Sequence, residues 1–69
     1  MASSVAKVTE ITAQSDKSFE HAIERGVERA CKTLSGVKGV WVQDQSMKIK
    51  DGKVTAYRVS MKVTFVLKG

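Results

Sequence analysis

Trp41, Gln43 and Gln45 occupy alternate positions of the stretch VWVQDQ, and Arg58, Ser60 and Lys62 occupy alternate positions of RVSMK. In a strand, residues two apart share a face. An indole, two carboxamides, a guanidinium, a hydroxyl and an ammonium on one surface make a mixed face of the kind that takes a ligand or a subunit, and its two cations favour an anion. They are poorly suited to making or breaking bonds. The chain has no nucleophile placed beside a histidine, no carboxylate pair at an obvious spacing and no glycine-rich phosphate loop. The chemistry these residues support is binding, and the chain reads as a non-enzyme.

Trp41 is the only tryptophan, and its parity is opposite to that of Val40, Val42 and Asp44. The valines are the natural core-facing set. The largest aromatic in the chain is therefore expected on the face turned away from the core.

The elements that position these residues follow from periodicity. AKVTEIT (6–12) is rich in β-branched residues and reads as a short strand, with AQS as a turn after it. In SDKSFEHAIERGVERACKTLSG (15–36), Phe19, Ile23, Val27, Ala30 and Leu34 recur at helical spacing. Ser15 is the expected N-cap and Gly36 the expected residue just past the C-terminus. Ala22, Gly26 and Cys31 flank the apolar stripe with small side chains. Gly26 in mid-helix costs about 1 kcal/mol relative to Ala, which predicts close approach of another backbone. Glu20, Glu24 and Glu28 form one charged column and His21, Arg25 and Arg29 a second. They suit either a solvated face or pairing with a neighbouring subunit.

VKGVWVQDQSMKI (37–49) and KVTAYRVSMKVTFVL (53–67) read as long strands joined at Asp51-Gly52, a two-residue hairpin turn that needs positive φ at both positions. On the last strand Tyr57, Val59, Met61, Val63, Phe65 and Leu67 share one face. The expected fold is α+β, in the order β-α-β-β. A helix about 20 residues long would span about 30 Å and cover one side of a three-stranded antiparallel sheet. Trp41, Gln43, Gln45, Met47, Arg58, Ser60 and Lys62 are expected on the other side. A mixed face with an aromatic is where a subunit or ligand is expected.

With 69 residues, one domain (1–69) is expected, and its core is small. Cys31 is the only cysteine and His21 the only histidine, so neither a disulfide nor a zinc site is expected to support it. Self-association remains. The net charge of +5 comes from 12 Lys+Arg against 7 Asp+Glu, spread along the chain. A soluble basic surface is the plain reading, and an anionic partner the alternative. Single-stranded nucleic acid would need several exposed aromatics where only Trp41 qualifies, so no nucleic-acid partner is expected. No apolar run approaches a membrane span, and MASSVAKVTE has no apolar signal region. A cytoplasmic location is expected, and the free cysteine suits a reducing compartment.

The stretches KVTEIT and QS, SFEHAIERGVERACKTL and DGKVTAYRVSMKVTFVL, taken with the order of elements, resemble the dodecin family over residues 5–67. The resemblance implies a sheet wrapped around one helix, a hollow homododecamer of 23 symmetry, and storage or quenching of flavin between subunits. It implies a tryptophan that stacks on the isoalloxazine and a glutamine on the last strand that bonds its edge. The tryptophan position falls on Gly39, because VKGVWV stands where the family has Leu-Asp-Trp-Phe-Glu-Val, and the glutamine position falls on Arg58. Trp41 takes the family's glutamate position.

Gly39 and Trp41 differ by two, so the aromatic is displaced about 6.6 Å along the strand without leaving its face. The candidate ligand residues are therefore Trp41, Gln43, Gln45, Arg58 and Gly39, with no catalytic or metal-binding residue. Trp41 could stack on a ligand or pack against a symmetry mate, and the packing role is preferred. The leading expectation is a ligand-sequestering homododecamer, with flavin (riboflavin, FMN or FAD) the first candidate at a weakened or lost site. The alternatives are a shell for another anion, of coenzyme A or phosphate type, or for cations, and a structural interaction module.

Overall fold

The computed structural model describes residues 5–67. Strand β1 (Val5–Ser15) leads to helix α1 (Phe19–Thr33), then β2 (Val37–Lys50) and β3 (Lys53–Leu67). The sheet order is β1-β3-β2 and both pairings are antiparallel. The expected β-α-β-β arrangement is present.

Alternation of apolar residues along β3 determines which face is buried. Val59, Met61 and Val63 are fully buried. Val59 and Met61 pack against Ala22 of α1, with Ile11, Ala13, Phe19, Ile23, Val40 and Val42 around them. The rings of Phe19 and Tyr57 meet edge to face at 5.0 Å.

On the helix the innermost line is Ala22, Gly26 and Ala30. The larger Phe19, Ile23, Val27 and Leu34 lie beside it and are only half-buried. The helix thus meets the sheet along its smallest side chains. Cys31, expected to flank the stripe, is exposed.

Two boundaries differ from expectation. Residues 13–15, expected to turn, continue β1 because β3 is long enough to pair them: Ala13 stands opposite Val59, Gln14 opposite Arg58 and Ser15 opposite Tyr57. The N-cap is Ser18, not Ser15. Ser18 is extended (φ −169°) and its hydroxyl accepts from the His21 backbone N–H at 3.0 Å. The Ser15 hydroxyl is buried, accepts from Lys17 N–H at 2.9 Å and lies 2.6 Å from His21 Nδ1. It fastens the β1–α1 connection. Ser18→Ala is therefore expected to cost about 1 kcal/mol, and Ser15 will not substitute as the cap. Chemical denaturation of the two proteins checks this, and an unchanged midpoint would assign the cap elsewhere.

The C-terminal end also differs. The helix stops at Thr33, and Leu34 caps it through its N–H to the Ala30 carbonyl at 2.8 Å. Gly36 serves the turn into β2. It has φ +75°, its carbonyl accepts from Val66 N–H at 3.0 Å, and a Cβ there would lie 2.9 Å from the Val66 carbonyl oxygen. The hairpin is as expected, with Asp51 at φ 51° and Gly52 at φ 77°.

The helix has 15 residues, shorter than the expected 20 or so. It covers about 22 Å, whereas the 15 residues of β3 extend about 50 Å. Beyond the row Ser15–Tyr57–Met47 the sheet continues as a two-stranded ribbon, and Ile49 and Val54 are exposed on it. An isolated two-stranded ribbon is marginal in water.

Candidate ligand site on the open sheet face

The face of the sheet turned away from α1 is built in rows across the three strands. From the pairing register these are Val8–Thr64–Gly39, Glu10–Lys62–Trp41, Thr12–Ser60–Asp44 and Gln14–Arg58–Ser46. Gly39 and Trp41 share this face, as expected. Trp41 is 70 % exposed. The Lys62 ammonium lies 5.8 Å from its ring centroid, within cation–π range, an interaction worth about 0.5–1 kcal/mol at an exposed position.

A β-bulge alters the expected membership. Val42 pairs with Met61 and Asp44 with Ser60, so Gln43 is an extra residue with no partner on β3. The insertion reverses the alternation of β2 beyond it. Gln45 then stands opposite the buried Val59, and Met47 opposite Tyr57, on the helix side. Asp44 and Ser46 take their places on the open face. The placement of Gln45 and Met47 on the Trp41 face is thus corrected, and Gln43 sits at the bulge. A signal was present in the sequence: an aspartate follows two valines at core-facing parity, which an unbroken strand would have turned inward.

Gly39 and Arg58 are not brought together within one chain. Their register partners on β3, Thr64 and Arg58 itself, are six residues apart, about 20 Å along the strand. Arg58 is likewise about 13 Å from the row of Trp41, four residues away. The cation beside Trp41 is Lys62, which sequence reasoning placed on the face without a specific partner. A Cβ at Gly39 would meet nothing within 4 Å, so this end of the face is open.

The opposite side of the sheet carries a different feature. A groove of about 720 Å³ runs between β1 and α1. Its floor is Ile11, Ala13, Gly26, Ala30 and Leu34, and Arg25, Glu28, Arg29 and Lys32 rim it. The Arg25–Glu28 pair, at 3.8 Å and more than half exposed, is the one ion pair among the described residues. Among those residues no cluster of three or more His, Cys, Asp or Glu could hold a metal ion. No helix among them is long and apolar enough to cross a membrane.

Comparison with known families decides the relationship. The family model of dodecins matches residues 5–68. The chain belongs to the dodecin family. Its fold is similar to that of dodecin from Streptomyces davaonensis, at 29 % identity over 99 % of this chain and 100 % of that one, with a TM-score of 0.93. A mutant dodecin of Thermus thermophilus matches at 30 % identity over 97 % and 100 % of the two chains, with a TM-score of 0.91. A calcium dodecin from Mycobacterium tuberculosis, a calcium-chelating antigen with a novel calcium-binding site, matches at 31 % identity over 93 % and 91 %, with a TM-score of 0.80. Comparison with curated proteins gave no match. Dodecins are ligand-binding proteins, and this dodecin carries its one tryptophan on the open face of the sheet.

Proposed function

We propose that residues 1–69 form one dodecin unit, that twelve copies build a hollow homododecamer, and that the assembly sequesters a small ligand without chemical turnover. The observation that carries this reading is Trp41, 70 % exposed on a sheet face that α1 leaves uncovered. Flavin is the first candidate ligand, at a site weakened by Gly39 and Arg58.

Three features support assembly. Among the described residues the buried apolar set is Ala22, Ala30, Ala56, Val59, Met61 and Val63, small for an independent domain. The groove beside β1 leaves an apolar floor open. The ribbon beyond Tyr57 exposes Ile49 and Val54. A ligand that touched both Gly39 and Arg58 would also need two chains, given their separation of about 20 Å.

A second reading is a shell that holds another anionic cofactor, of coenzyme A or phosphate type. Arg58 favours it, because a guanidinium only donates where the family's glutamine both donates and accepts. The exposed thiol of Cys31 supports a reducing, cytoplasmic setting.

Light scattering is expected to return the mass of twelve chains at micromolar concentration; a monomer or dimer mass would refute the assembly. Titration of riboflavin and FMN is expected to show weak binding that depends on Trp41. Submicromolar affinity that survives Trp41→Ala would contradict the role given to this face, and no binding of either would leave the non-flavin shell.

A further inference from the structure

Beyond the row of Tyr57 only β2 and β3 remain paired, and a further β-bulge decides what this ribbon presents. Lys48 stands opposite Ala56 but Ile49 opposite Val54, so Thr55 is an extra residue on β3. Unbroken alternation from Val59 would turn Lys53 to the helix side and Val54 to the open side. The bulge reverses that order. Val54 therefore joins Met47 and Ile49 on the helix side, all three of them exposed. Lys53 joins Lys48 and Lys50 on the opposite side. The ribbon is thus sorted into one apolar face and one cationic face. Arg58, in the row of Ser46, continues the cationic face inward, so four cations lie within about 13 Å along the strands. Lys50 and Lys53 are direct cross-strand partners, an unfavourable like-charge pair. None of the four makes an ion pair among the described residues, and Asp51 in the turn is the one carboxylate of residues 45–58.

We infer that the cationic face of the β2–β3 ribbon binds the phosphate backbone of double-stranded DNA. The duplex carries one negative charge per about 1.7 Å of its axis, a density that matches cations packed this closely. Its major groove, about 12 Å wide, admits a two-stranded β-ribbon. The scarcity of exposed aromatics speaks against single strands, whose bases need stacking surfaces. A duplex backbone needs only cations. A lipid surface is the poorer partner: lysines and apolar side chains that meet one membrane lie on adjoining parts of one surface, and here they are opposed. Lysines on phosphates carry no sequence information, so recognition is by charge and shape. A single ribbon binds weakly. Where neighbouring copies cover the apolar faces, several ribbons of one assembly can engage the same duplex and gain by avidity.

Fluorescence anisotropy of labelled DNA duplexes with the full chain tests this. Three lysine contacts give a slope of log affinity on log salt of about −2.7, a loss of about 40-fold between about 50 mM and about 200 mM salt, and more where several ribbons engage. Two duplexes of unrelated sequence should bind alike. Lys48→Gln, Lys50→Gln and Lys53→Gln should each flatten the slope by about one per engaged ribbon, and the triple variant should lose most of the affinity at unchanged assembly mass. A second triple variant, Lys7→Gln with Lys17→Gln and Lys38→Gln, removes equal charge from exposed positions elsewhere and should keep most of the binding. No duplex binding at low salt, equal losses in the two triple variants, or a marked sequence preference would overturn the inference. Vesicles of anionic lipid that bind through the ribbon lysines while the duplex does not would assign the face to lipid and overturn it as well.

Discussion

The double substitution Gly39→Trp with Arg58→Gln is expected to tighten flavin binding by about 30-fold to about 10⁴-fold, or about 2–6 kcal/mol. Two contributions add. Stacking of a flat ring on an aromatic is worth about 1–3 kcal/mol. An arginine at the family's glutamine position offers no acceptor to a flavin ring N–H, and a buried unsatisfied donor costs about 1–3 kcal/mol. The backbone is ready for the larger side chain: a Cβ at Gly39 meets nothing within 4 Å, and aromatic residues suit strands.

The two positions are about 20 Å apart within one chain, so the restored groups would serve one ligand from different subunits. Each single substitution should then recover part of the gain, and the double variant measures how far the two contacts couple through the ligand they share. Fluorescence titration of riboflavin against wild type, both single variants and the double variant measures this. A double variant no tighter than wild type would show that this open face is not the flavin surface.

Gly26→Leu is expected to destabilise the protein by about 1–3 kcal/mol through overpacking. The line Ala22, Gly26 and Ala30 faces β1 and β3, with Gly26 at its middle. A Cβ added there would collide with the terminal methyl of Met61, and would lie 3.1 Å from the Ala13 Cβ and 3.5 Å from Ile11 Cδ1. Met61 is itself fully buried, so its flexible end must repack among its neighbours to make way, which one added methyl requires far less than a leucine does. Gly26→Ala gains about 1 kcal/mol of helix propensity against a smaller clash, and should come out near neutral. Leucine gains similar propensity but drives three more carbons into the same space. Thermal melts at equal protein concentration check both variants, since melting of an assembly depends on concentration. A loss of 1 kcal/mol corresponds to roughly 4–8 °C in a domain of this size. A leucine variant with unchanged melting and unchanged assembly would make the glycine incidental.

Much of the fold was legible along the chain because it depends on local chemistry. Alternation of Val59, Met61 and Val63 marks the buried face of β3 without reference to any distant residue. Asp51-Gly52 specifies its turn because both positions tolerate positive φ, and both adopt it. The mid-helix glycine announced a close contact because no other property of the segment accounts for it.

Other features belong to the tertiary structure. Ser15 and Ser18 are chemically equivalent as caps, and the choice fell to Ser18 because the length of β3 holds Ser15 in β1, opposite Tyr57. The bulge at Gln43 arises from how β2 registers against β3, so it reversed Gln45 and Met47 with only Asp44 as a hint. Lys62 had two cross-strand neighbours to choose from, and only its placement against Trp41 in space revealed the pair. The separation of Gly39 from Arg58 is likewise a matter of register, not of composition. Local propensity and periodicity determine elements, whereas register, facing and the distances between functional groups depend on pairings between residues far apart in the chain.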